Sequence, residues 1–218
     1  MEEKKISFSH DDYEIIKREI LYQGEYRLAL YHLHHRLFNG QWSKVFTREI
    51  FERPHAAAIL PYDPKLDRIV LIEQFRTGAI ENPKNPWLLE VVAGVFDKEK
   101  PDEEGDNIKE NPEDVARREA EEEAGCKILD IYSICHYFVS PGGSNEQLHL
   151  YCGHIDASQV GGVHGLHDEN EDIRAFLLSP DEAYTMVQEG KIKTSPAIIS
   201  ILWLQLNREW LKQLWLTK

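Results

Sequence analysis

The chain has 218 residues, long enough to bury a substantial core in one domain, with 38 acidic against 25 basic residues and a formal net charge of −13. That balance repels nucleic-acid backbones and anionic membranes, so neither is an expected partner, and it leaves room for bound divalent cations. Cys126, Cys135 and Cys152 show neither a disulfide framework nor a zinc spacing, and MEEKKISFSH lacks a secretory core, so the expected location is cytoplasmic, with no membrane span.

In chain order, Tyr26 to Leu37 alternates as an extended strand, and Asn39-Gly40 then favours a hairpin whose return strand runs from Trp42 to Phe51. His32, His34 and His35 admit a metal site, against the plainer reading of alternating strand exposure. His55 to Leu60 and Arg68 to Phe75 form a second strand pair about a turn at Pro61-Tyr62-Asp63-Pro64, and Trp87 to Ala93 is one further short strand. An acidic loop from Asp97 to Glu110 leads to Asn111-Pro112-Glu113-Asp114. There a capping side chain, a proline at the first helical position and two acids at the positive end of the dipole start a helix, which Gly125 ends. Strands follow at Lys127 to Val139, Gln147 to Gly153 and Ile173 to Leu178, with a polar loop from Asp156 to Asp172. Helices at Pro180 to Glu189 and Pro196 to Leu216 complete an α+β order, and the apolar residues of the last one call for core packing, not a cofactor.

The helix after Asn111 carries the chemistry. At about 100° per residue, Glu119, Glu122 and Glu123 share one face while Glu121 points elsewhere. Like charges at i and i+4 cost an isolated helix about 0.2–0.5 kcal/mol per pair, and here they lie toward the end where the dipole gives no help. Something cationic belongs on that face. Arg118 supplies part of it through its i+4 relation to Glu122, and a solvated acidic face with surface ion pairs is the plainer alternative.

Gly94, Glu110 and the run Arg118-Glu119-Ala120-Glu121-Glu122-Glu123-Ala124-Gly125-Cys126 resemble the box of the Nudix family, with Asn111 to Arg117 matching its internal interval. One departure is an insertion: the family pattern places five residues between its glycine and its lone glutamate, and fifteen separate Gly94 from Glu110. The insertion precedes the helix and is expected to leave the metal face intact. Similarity to the ADP-ribose branch of the family continues through HRLFNGQ (His35 to Gln41), REIFER (Arg48 to Arg53), LIEQFR (Leu71 to Arg76), PWLLEVVAG (Pro86 to Gly94), SPGG (Ser140 to Gly143) and DENEDIR (Asp168 to Arg174).

The resemblance implies a Nudix fold, a mixed β-sheet sandwiched between α-helices. A dimerising N-terminal antiparallel β-strand region, 1–52, would precede a hydrolase domain, 53–218. It implies Mg2+-dependent hydrolysis of the pyrophosphate bond of ADP-ribose to AMP and ribose 5-phosphate by metal-activated water, with Mn2+ as a substitute. The implied metal ligands are Glu119, Glu123 and the carbonyl of Ala93, with Glu122 joining directly or through water. Glu171 is the implied base and Glu169 its alternative; both read otherwise as ordinary loop residues. Arg76 resembles a phosphate contact and Glu146 a contact to the terminal ribose, and either reads otherwise as half of a surface salt bridge. Arg48 and Glu49, supplied by the partner of a homodimer, would complete the adenosine pocket, and Tyr26 stands where an adenine-stacking aromatic is expected. Two other readings stay open: hydrolysis of another nucleotide sugar or a dinucleotide, and a non-catalytic ADP-ribose sensor. The presence of Glu119, Glu122 and Glu123, without an appended basic DNA-binding segment, weighs against the sensor.

Overall fold

The structure is a computed structural model in which residues 8–81, 85–96, 100–101, 107–108, 111–165 and 171–217 are described. The chain divides into two compact units, Met1–Pro54 with Phe138–Glu146, and His55–Tyr137 with Gln147–Lys218.

In the first unit, β1 (Tyr13–Gln23), β2 (Arg27–His35) and β3 (Phe46–Glu52) form an antiparallel sheet in that order. The Asn39-Gly40 turn forms as expected, with Gly40 at φ 81° donating its N–H to Leu37 O. β1 was not expected. Its apolar residues fall at Ile15, Ile16, Ile20 and Leu21 and are all exposed, so no one-sided burial writes an alternation into the sequence, and two register shifts interrupt its ladder with β2. The histidines make strand pairs: His32 meets Glu19 at 2.6 Å and His34 meets Glu14 at 2.9 Å, both across the β1–β2 ladder. Glu52 is buried at the end of β3, where Arg18, Tyr31 and Arg27 bind its carboxylate; the Arg18 pairing is the main reason its pKa is lowered.

In the second unit, β4 (Ala56–Asp63) and β5 (Arg68–Phe75) meet as a hairpin only at Tyr62↔Ile69 and Asp63↔Arg68. They then splay apart, and the chain between Trp87 and Val95 fills the opening. The single strand expected there is two: β6 (Trp87–Glu90) pairs with β5, and after a break at Val91, β7 (Val92–Val95) pairs with β4. The turn expected at residues 61–64 lies further on, because Pro61 and Tyr62 stay in β4. Pro61 falls between the last β4–β7 pair at Ile59 and the first β4–β5 pair at Tyr62, where its missing N–H breaks no ladder bond on that side. Asp67, at φ 56°, closes the turn. The inserted segment contains β8 (Lys100–Pro101) and β9 (Asn107–Ile108), which among the described residues pair only with each other.

Helix α1 (Pro112–Ala124) starts at the Asn111 cap, whose side chain accepts from Glu113 N–H, and ends at Gly125 in the left-handed region. Beyond it come β10 (Asp130–Phe138), β11 (Gln147–His154), β12 (Gly162–His164) and β13 (Ile173–Leu178), then α2 (Pro180–Gln188) and α3 (Ser195–Leu216). β12, within the expected polar loop, is too short to announce itself. The sheet order is β10-β11-β4-β5-β13-β12, with β4 and β11 parallel and the other registered neighbours antiparallel. Every residue of β4 is buried because the strand has helices on both sides. Ala56, Ala58 and Leu60 pack with Ile201, Leu204 and Leu211 of α3, while Ala57 and Ile59 pack with Val115, Ala116, Ala120 and Ala124 of α1. This mixed sheet between helices is the expected fold.

Candidate active site

Helix α1 turns its small apolar residues to the sheet, so its backbone approaches β4 and β7 closely, and the carboxylates flanking that stripe come down beside β7. Glu123 is 4% exposed, and its Oε2 accepts the N–H of Ala93 at 3.1 Å. Burial pushes its carboxyl up to about 8; Ala93 N–H and Arg76 work against the rise, and Glu119 and Glu171 add to it. Glu119 lies against Gly94, where a Cβ would stand 1.9 Å from its Oε1. Burial also raises the pKa of Glu119, Glu122 adds to the rise, and Arg118 opposes it. Arg118 Nη1 donates to Glu119 Oε1 at 2.7 Å and to Glu122 Oε2 at 3.2 Å, so the guanidinium occupies the cationic role that the crowded face demands. Glu121 is exposed.

Arg76, just past β5, continues that strand's alternation on the α1 side after Ile72 and Gln74. Its Nε and Nη2 donate to Glu90 Oε2 at 2.9 and 2.7 Å, and Gln74 Nε2 reaches the same oxygen at 3.3 Å. Burial opposes the charge on Arg76, but pairing with Glu90 outweighs it, so its pKa is raised; Glu123 and Glu171 contribute. Glu171 is therefore close enough to act electrostatically on Arg76, Glu119 and Glu123. Its backbone packs against Gly165, at φ 99°, where a Cβ would stand 2.9 Å from the Glu171 carbonyl oxygen.

Ala93, Glu119, Glu122, Glu123, Arg76 and Glu171 are thus gathered at the α1–β7 junction and the end of β5. Glu110 and Glu169 lie outside the described residues. Among the described residues no three His, Cys, Asp or Glu side chains form a preformed metal cage, because Arg118 draws Glu119 and Glu122 while Ala93 N–H holds Glu123. The first unit holds the other four expected residues. Arg48 and Glu49 are exposed on β3, with the Arg48 guanidinium over the Phe46 ring at 4.7 Å. Tyr26 and Glu146 are joined by Arg53, whose guanidinium lies 5.3 Å over the Tyr26 ring and whose Nε is 3.5 Å from Glu146 Oε1. Glu90, Gln74 and Arg53 were missed in the sequence. Two of them left a signal: Glu90 is the one acid in an apolar run, and Gln74 shares a strand face with Arg76.

Known proteins resemble this chain along nearly its whole length. The NUDIX domain profile matches residues 52–198. The ADP-ribose pyrophosphatase of Escherichia coli (strain K12) is 48% identical over 210 residues, covering 96% of each chain, and that of Haemophilus influenzae is 42% identical over 211 residues, covering 95% of this chain and 93% of the other. A crystal structure of an ADP compounds hydrolase superposes with a TM-score of 0.65 at 18% identity, covering 96% of this chain and 99% of that one, and shares the fold. With the domain profile spanning the carboxylate helix and near full-length relatives at this identity, the chain belongs to the Nudix hydrolase family.

Proposed function

We propose that this chain hydrolyses the pyrophosphate bond of ADP-ribose, giving AMP and ribose 5-phosphate, with Mg2+ as its divalent cation and Mn2+ as a substitute. The observation that carries this reading is the 48% identity with an ADP-ribose pyrophosphatase along 96% of both chains. The carboxylate face supports it. Glu119, Glu122 and Glu123 offer hard oxygen ligands, burial makes the charges of Glu119 and Glu123 costly, and Arg118 sets on that face a guanidinium that an ion would displace. These residues fit a divalent cation, and in this reading Glu119, Glu123 and the Ala93 carbonyl hold it with Glu122 assisting. Bound there, the cation neutralises pyrophosphate oxygens and acidifies water.

The chain's own groups supply the rest. Arg76 donates to a phosphate oxygen, and the Glu171 carboxylate takes the proton of the attacking water, with Glu169 as the alternative base. Glu146 binds the terminal ribose and Tyr26 stacks on adenine. The protein acts as a cytoplasmic homodimer, in which Arg48 and Glu49 of the partner complete the adenosine pocket; three free thiols suit a reducing compartment. A panel of ADP-ribose, other nucleotide sugars and dinucleotides with Mg2+, its products separated by chromatography, tests the reading. ADP-ribose should be the best substrate and yield AMP. Faster turnover of another member, or binding of ADP-ribose without hydrolysis, would overturn it.

A further inference from the structure

Glu90 is a nearly buried charge that the proposed reaction does not use. It ends β6, where the chain leaves β5 and crosses to β4, and pairs with Ile72 on the side of the sheet that α1 covers. A carboxylate there is costly unless paired, and buried ion pairs add little to stability over apolar packing, so what such a pair holds matters more than what it stabilises. Glu90 holds one edge of Arg76. Both Nε and Nη2 converge on Oε2, and Gln74 on the same strand face steadies that oxygen. The Arg76 side chain is still 44% exposed, and among the described residues no hydrogen bond engages its Nη1.

The surroundings explain why an arginine here needs holding. Glu123 and Glu171 both act electrostatically on Arg76. A guanidinium free to turn would pair with those carboxylates, as Arg118 pairs with Glu119 and Glu122, and would be withdrawn from an incoming phosphate. We propose that Glu90 is a positioning residue: by gripping the Nε–Nη2 edge of Arg76 it presents Nη1 to a pyrophosphate oxygen and keeps the guanidinium off the metal-face carboxylates. This rests on the reading of Arg76 as the phosphate contact.

The test is a double-mutant cycle with Glu90→Gln and Arg76→Ala, each variant checked for folding by thermal unfolding. Glu90→Gln should raise KM by about tenfold or more with a smaller change in kcat, because a charge-assisted contact is lost from substrate binding. In the Arg76→Ala background the same substitution should change kcat/KM by less than about twofold, since its effect passes through Arg76. Affinity for a non-hydrolysable α,β-methylene analogue, measured by calorimetry, should fall in step with KM. A fall in kcat at unchanged KM, or independent multiplicative effects in the double mutant, would overturn the proposal and give Glu90 a role of its own. If Glu90→Gln does not fold, Glu90→Asp keeps the charge and shortens its reach, and the same criteria apply to it. Failure of the ADP-ribose reading would appear instead in the wild type; the cycle is then run on the nucleotide that the wild type prefers.

Discussion

The backbone of Gly94 lies directly beneath the carboxylate of Glu119: a methyl group there would stand 1.9 Å from Oε1 and 2.0 Å from Cδ. This contact ties the glycine of β7 to the first acid of the helical pair, which lie far apart in sequence. Gly94→Ala should leave the fold intact, because Glu119 can swing away, but should lower kcat/KM by about a hundredfold by displacing a carboxylate that must be placed within an ångström. Steady-state kinetics with circular dichroism checks this, and near wild-type activity would detach Glu119 from the reaction.

Glu119→Gln and Glu123→Gln should each lower turnover by orders of magnitude and raise the melting temperature of the metal-free protein. For Glu123 the pH dependence follows from burial. Its folded carboxyl titrates near 8, above the ordinary 4.5, so its stabilising contribution is fully present below about 4.5 and is lost as pH rises toward 8. Metal-free wild type should therefore weaken across that window, and Glu123→Gln should flatten the curve. Thermal unfolding between pH 5 and 8 reads both.

Asp67 binds α3 and the β4–β5 turn into one network. It accepts from Tyr62 OH and Arg208 Nε, each at 2.8 Å, and Lys212 Nζ is 3.3 Å from it; Arg208 also reaches Asp181 of α2 at 2.9 Å. Burial pushes the Asp67 carboxyl up, but the Arg208 and Tyr62 bonds hold it at about 2. A depressed carboxyl contributes stability above its ordinary value and loses it as pH falls toward 2. Asn also tolerates the left-handed φ of 56°, so Asp67→Asn should cost about 1–2 kcal/mol at neutral pH and little near pH 2. An equal cost at both pH values would separate the network from the charge.

Replacing residues 100–108 by a short turn should preserve kcat within a few-fold. Among the described residues the two strands there pair only with each other, and changing the length of a connection alters closure entropy little. A collapse of turnover in a folded variant would make the insertion part of the substrate site.

The trans contribution of Arg48 is tested by complementation. An Arg48→Ala chain mixed with a Glu119→Gln chain under subunit exchange should recover activity above either alone, because some heterodimers gain one site carrying neither defect. Verified exchange without recovery, or a monomer by light scattering, would remove the shared pocket.

The sequence by itself determined the carboxylate helix and its family. Asn111, Pro112 and Gly125 mark the ends of α1 through local backbone chemistry, and a period of about 3.6 places Glu119, Glu122 and Glu123 on one face without reference to the rest of the chain. Only the tertiary structure decided which neighbours those acids meet. Ala93 N–H holds Glu123 because β6 and β7 divide at Val91 to fill the gap between β4 and β5, a break that the largely apolar run around it does not announce. Glu90 reads in the sequence as an oddity in a strand; it becomes a partner of Arg76 only once β5 and β6 are paired. β1 was invisible for the complementary reason, since a strand exposed along nearly all its length leaves no one-sided apolar pattern to read. Local rules act over a few residues and survive in the sequence, whereas pairings between distant strands depend on which surfaces the folded chain brings together.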